Sequence, residues 1–140
     1  MKAPDPSTED GARALASLAS DTVGWFTTVN PDGQPQSSPV WFLWRDHEIL
    51  VYSHKRAVRN GNIVDRPLVS FNLNTDETGD ELVTIEGVAR FDPGAPPASA
   101  NPAYVAKYLA KVEGYGWTMD WFDENYPVVV RIAPTRWRYG

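Results

Sequence analysis

The residues best equipped for chemistry lie in one short stretch, Tyr52-Ser53-His54-Lys55-Arg56-Ala57-Val58-Arg59-Asn60-Gly61-Asn62-Ile63. Lys55, Arg56 and Arg59 supply three cations and His54 an imidazole, in a chain whose net charge is -5. Ser53, Asn60 and Asn62 add a hydroxyl and two amides. Such donors hold phosphates, and so do the free backbone N–H groups that open a helix. A helix starting near Ala57 would set those amides beside Ser53 and the cations. The competing reading is a solvated surface turn, the common fate of a charge run.

A second group is aromatic. In "PVWFLW" (39–44), a period-2 strand turns Val40, Phe42 and Trp44 one way and Pro39, Trp41 and Leu43 the other. Both faces are bulky and apolar. The strand is therefore buried on both sides, or it offers an aromatic such as Trp41 to a flat ligand or a partner.

Other chemistries find little support. The two histidines, His47 and His54, stand on different elements without metal-ligand spacing, so no metal site is expected. His47 falls in a charged hairpin turn and reads as solvated. The sequence has no G-x-S-x-G, P-loop or G-x-G-x-x-G, and no catalytic residue is singled out. There is no cysteine, which excludes disulfides and thiolate nucleophiles and fits a reducing cytoplasm. The acidic balance argues against a nucleic-acid surface, and no apolar run approaches the ~20 residues of a membrane helix.

The elements that must position these groups follow from periodicity and turn residues. The chain has 140 residues, 42% hydrophobic and 22% charged, enough for one domain. Residues 1–6 read as a disordered tail and 7–140 as a single domain. Ser7 and Asp10 have capping-box spacing ahead of an amphipathic helix over 7–20. Strands are expected over 21–29, 34–44, 49–53, 67–74, 82–91 and 126–140, with "NPDG" (30–33) as the first hairpin turn. Pro35 and Pro39 place the second strand at an edge or a bulge. A Pro-rich connector over 92–102 leads to a helix at 102–112 and a helical turn or two at 118–125. Six strands with a few helices suit a small antiparallel barrel.

The ordered set "GWFTTVNPDGQPQSSPVWFLW", "ILVYS", "NIVDRPLVSFNL" and "VTIEGVARF", with a looser match at "YPVVVRIAPTR", resembles the pyridoxamine-phosphate-oxidase-like split β-barrel flavoproteins. Within that superfamily the chain is most similar to the actinobacterial class of F420-dependent enzymes. The resemblance implies a mainly β (α+β), six-stranded antiparallel split barrel, FMN-binding-protein-like, with flanking helices. It implies a cytoplasmic homodimer with two cofactor sites between subunits and a small-molecule electron acceptor. The cofactor would be coenzyme F420, with FMN as the alternative and non-catalytic flavin, deazaflavin or haem binding as a further one.

On that resemblance, Ser53, Arg56, Arg59 and Asn60 would hold the cofactor phosphate, with Lys55 and Asn62 nearby. The ring would lie around Ser38, Pro39, Val40 and Trp41, within reach of Thr27 and Thr28. A partner subunit would add Trp121, Arg136 or Trp137. Family members usually carry lysine at the position of Arg59 and arginine at that of Gly61, so this chain lacks one cation. Tyr52, His54 and Tyr126 are the candidates for a proton donor, and the spacing selects none of them.

Overall fold

The computed structural model describes residues 2–140. Helix α1 (Glu9–Ser20) opens on Thr8, whose hydroxyl accepts the Gly11 N–H at 3.0 Å. Thr8, one residue later than the expected Ser7, is thus the cap, because Ser7 is turned to the Asp5 carboxylate (2.7 and 2.8 Å). Of the tail expected over 1–6, Met1 lies outside the described residues. Pro4 is buried, and the Asp5 carbonyl accepts from the Thr8 amide and hydroxyl, so the end of that segment is folded as part of the cap.

The β-branched and aromatic segments form β1 (Gly24–Val29), β2 (Pro35–Val40), β3 (Leu43–Arg45), β4 (Glu48–Ser53), β5 (Leu68–Leu73), β6 (Val83–Phe91) and β7 (Val128–Tyr139). They make one antiparallel sheet in the order β2-β1-β5-β6-β7-β4-β3. The edge strands β2 and β3 are consecutive in sequence, joined only by Trp41 and Phe42. Such a link spans at most about 11 Å between Cα atoms, so the sheet must curl until its two edges nearly meet. The result is a split barrel flanked by helices.

The barrel has seven strands where the sequence predicts six. The difference is the predicted 34–44 strand, which is interrupted at Trp41–Phe42. There the Phe42 amide donates to the Tyr108 hydroxyl (2.9 Å), and its carbonyl accepts from Lys107 Nζ (3.1 Å). With both backbone groups satisfied by side chains, Phe42 has no need of a ladder partner. At the β3–β4 hairpin Asp46 and His47 carry positive φ (54° and 62°), as a tight two-residue turn demands. Strand β7 pairs with β4 in unbroken register and with β6 across a bulge at Glu86/Gly87, where any Cβ on Gly87 would lie 2.7 Å from the Ala133 carbonyl oxygen.

Helix α2 (Val58–Asp65) follows β4, while α3 (Pro102–Gly114) and α4 (Met119–Asn125) cover one side of the sheet. Two apolar clusters result. One fills the barrel around Phe26, Phe42, Phe71 and Ile132; the other lies beneath α3 and α4 around Tyr104, Tyr108, Phe122 and Leu50. The alternation read in 39–44 is kept across the break: Val40, Phe42 and Trp44 face the barrel, while Trp41 and Leu43 face the second cluster. No helix among the described residues is long and apolar enough to cross a membrane.

Candidate functional site

The basic stretch folds as a strand end, a turn and a helix start. The Ala57 amide closes a turn on the His54 carbonyl (3.0 Å), and α2 begins at Val58 with no side-chain cap. The Lys55 amide donates to the Asn125 carbonyl at 3.0 Å, tying the turn to the end of α4. Asn60 braces it from inside, accepting from the Ser53 hydroxyl at 2.8 Å and donating to the His54 carbonyl at 2.9 Å.

Arg59 is the centre of this arrangement. One terminal nitrogen donates to the Ser53 hydroxyl (2.8 Å) and the other to the Ser38 hydroxyl (2.9 Å), bridging β4 and β2. Its Nε is sealed from solvent and has no partner. Among the described residues no carboxylate pairs with this guanidinium. Burial pulls its pKa below the ordinary arginine value. A half-buried cation held only by neutral hydroxyls carries an electrostatic cost that a bound anion would relieve.

Arg59 lines a cavity of about 450 Å³. Pro39, Val40 and Trp41 line it from the barrel's broken edge, and Tyr52, His54 and Ala57 from the β4–α2 connection. Tyr104, Tyr115, Trp117, Phe122 and Tyr126 close it from the helical side, with Val23 completing the wall. Arg59 is the only Lys, Arg, Asp or Glu in this lining. Several rings share nearly one plane direction: Trp41 lies at 8° to Tyr108 and 9° to Phe122, and Phe122 at 11° to Tyr126. An aromatic lining that holds a single cation suits a flat ring system that carries an anionic tail.

The three proton-donor candidates all line this cavity and differ in their ties. The Tyr52 hydroxyl is engaged by Asn101 (3.1 Å) and the Pro96 carbonyl (3.3 Å), and burial raises its pKa. His54 Nδ1 accepts the Arg56 N–H at 3.0 Å, which places the neutral ring's one proton on Nε2. Tyr126 packs edge-on against that imidazole at 5.1 Å.

The predicted residues divide. Ser38, Pro39, Val40, Trp41, Ser53, Arg59 and Asn60 come together here. Lys55 and Arg56 are exposed, outside the lining, and their side chains make no hydrogen bond or ion pair among the described residues. Asn62 lies one turn further along α2, outside the lining: it is 4% exposed, and its amide donates to Thr28 Oγ1 (3.0 Å) and Gln36 Oε1 (2.9 Å), pinning α2 to the first hairpin. Thr28 is thereby occupied, and Thr27 pairs with Ser37 at 2.6 Å. A Cβ at Gly61 would meet nothing within 4 Å, so the fold does not require glycine there. Trp137 is buried in the barrel against Trp44 and is not available to a partner; Arg136 is exposed beside Glu86 (3.6 Å).

Tyr104, Tyr115, Trp117 and Phe122 are the aromatic lining residues that sequence reasoning missed, along with Val23 and Ala57. The available signal was the density of aromatics in "GYGWTMDWFDENY" (114–126), where Tyr115, Trp117, Trp121, Phe122 and Tyr126 crowd together.

Comparison with known proteins agrees with the fold. None of the curated protein sequences compared matches this chain. Among solved structures, a conserved hypothetical protein from Mycobacterium tuberculosis is 26% identical, with a TM-score of 0.71 over 99% of this chain and 87% of that one. A protein described as an F420 reductase is 20% identical (TM-score 0.65, 88% of this chain, 94% of that one). A haem-binding protein from Mycobacterium smegmatis is 23% identical (TM-score 0.66), covering 97% of this chain and 55% of that one. Residues 11–139 match the family described as pyridoxamine 5'-phosphate oxidase. With that match over nearly its whole length, the chain belongs to the pyridoxamine 5'-phosphate oxidase family.

Proposed function

We propose that this chain is an oxidoreductase that binds a phosphate-bearing deazaflavin, coenzyme F420, in the aromatic cavity and reduces a conjugated, electron-poor small molecule. The observation that carries the reading is Arg59, a half-buried cation with no anionic partner, one sealed unpartnered nitrogen and two serine hydroxyls beside it. In this reading Arg59, Ser38 and Ser53 hold the phosphate, and Asn60 keeps Ser53 oriented. Trp41, Phe122 and Tyr126 bound the ring and keep water from it. Once bound, the reduced cofactor would supply the hydride, and the acceptor would take its balancing proton from solvent or from one of Tyr52, His54 and Tyr126.

Structural neighbours named for F420, FAD and haem support different cofactors on this fold. FMN is the second reading, since its phosphate and flat ring ask the same of Arg59 and the cavity. His54 argues against its own use as a haem ligand: with Nδ1 engaged by Arg56, Nε2 carries the proton and offers no lone pair. A homodimer belongs to the proposal. The cross-strand neighbours Leu68 and Val88 are exposed on the sheet (70% and 37%), an apolar patch that a second copy would cover.

The test is titration of the purified protein with F420 and FMN in parallel, followed by fluorescence, with light scattering on the same samples. Arg59→Ala should weaken binding by about tenfold or more, as expected for one charge-assisted phosphate contact. An unchanged dissociation constant would remove Arg59 from the site. Absence of binding by both cofactors would overturn the reading, and a monomer at micromolar concentration would end the dimer proposal.

A further inference from the structure

Trp41 forms one wall of the cavity from the two-residue gap where the barrel's edge strands fail to pair. Neither neighbouring strand supports it through a ladder. Its support comes from α3. The Tyr108 ring lies flat against the indole, centroids 4.9 Å apart and planes 8° apart. The hydroxyl of the same residue accepts the Phe42 N–H at 2.9 Å and lies 2.8 Å from both the Phe42 and Thr22 carbonyl oxygens, which share its proton. Lys107, one residue earlier, adds a 3.1 Å contact to the Phe42 carbonyl and sits 4.1 Å from the Phe42 ring centroid. Tyr108 and Phe42 are both fully buried.

We propose that Tyr108 is the positioning residue for Trp41: its hydroxyl locks the backbone at Phe42, its ring sets the indole plane, and together they fix the wall that Trp41 gives the cavity. A flat ligand gains little from a wall that rotates, because ordering a mobile indole on binding costs conformational entropy. Tyr108 does not line the cavity; it acts through Trp41. Only the identity of the ring between the walls rests on the proposed function.

The experiment uses the full chain labelled with fluorinated tryptophan, the Trp41 fluorine resonance being assigned by its loss in Trp41→Phe. Tyr108→Phe keeps the stacked ring and deletes the hydroxyl. The Trp41 resonance should shift and broaden while that of Trp25, on β1, stays in place. Dissociation constants for F420 and FMN should rise about fivefold or more, the worth of roughly one net hydrogen bond. Ile85→Val, a core change inside the barrel, should lower stability and move neither readout. If Tyr108→Phe does not fold, Lys107→Met should move the Trp41 resonance in the same direction by less. An unmoved Trp41 resonance, or affinities within about twofold of wild type in Tyr108→Phe, overturns the proposal. If wild type binds neither cofactor, the functional reading falls, and the fluorine signal still decides the role of Tyr108.

Discussion

The two apolar clusters share strands β3 and β4 and are built on opposite principles. The barrel cluster is aliphatic and phenylalanine-rich, with no tyrosine among its buried members. The cluster under α3 and α4 buries Tyr52, Tyr104 and Tyr108, is partly lined by Trp41, Trp117 and Tyr126, and borders the cavity. In the first, interdigitated side chains bring in one polar group among the buried members, the Trp137 indole N–H. In the second, three phenol hydroxyls enter the interior, and one of them, on Tyr104, has no partner. One region is arranged for stability, the other keeps polar atoms and open volume where a ligand can use them.

The largest expected effect lies in the barrel. Phe71 is fully buried, meets Phe42 edge-on at 5.0 Å, and its ring fills the space beside Gly24, where a Cβ would sit 2.1 Å away. Phe71→Ala should cost about 3–5 kcal/mol in denaturant unfolding. A loss below ~2 kcal/mol would mean that the barrel core collapses to fill holes as a looser region would. A smaller effect of opposite sign belongs to the second cluster. Tyr104→Phe deletes the unpartnered hydroxyl and should stabilise the chain by about 1 kcal/mol, read as a rise in Tm. A fall would show that the hydroxyl is bonded after all.

The smallest effect is a pH dependence confined to the same cluster. Burial pushes the Lys107 ammonium down to about 8 from its ordinary 10.5, with Asp21 opposing. Between those values the unfolded chain binds more protons, so stability rises with pH there. Burial raises the Tyr104 and Tyr108 phenols above their ordinary 10, so beyond about pH 10 the unfolded chain loses protons first and stability falls. Urea midpoints across pH 7–11 should therefore pass through a maximum near about pH 10. Lys107→Met should flatten the rising limb; a rising limb that survives it would assign the effect elsewhere.

Local signals in the sequence carried most of the fold. The Asn30–Gly33 turn, the alternation in 39–44 and the helix opening after Ala57 all depend on neighbours close along the chain, and they stand as read. The break at Trp41–Phe42 was not legible, because the groups that satisfy Phe42 lie more than sixty residues away on α3. On the resemblance, Asn62 was expected near the cofactor phosphate. In the structure it lies one turn beyond Arg59 on the same side of α2, where Thr28 and Gln36 take up its amide just as Ser38 takes up the guanidinium. The helical half of the cavity was hidden for a similar reason, since Tyr115 and Phe122 meet Trp41 only when α3 and α4 dock on the sheet.

The order of strands also bears on how copies of this chain can meet. Both sheet edges are poor templates for a foreign strand. Edge strand β3 offers only three residues, and edge strand β2 contains Pro35 and Pro39, each lacking an amide proton to share. Growth of the sheet from one molecule into the next is blocked at both ends, which guards against fibrous aggregation. Two copies must instead meet side chain to side chain, across the outer sheet face or the helical flank, and the exposed Leu68, Val88 and Trp121 are placed for that mode of contact.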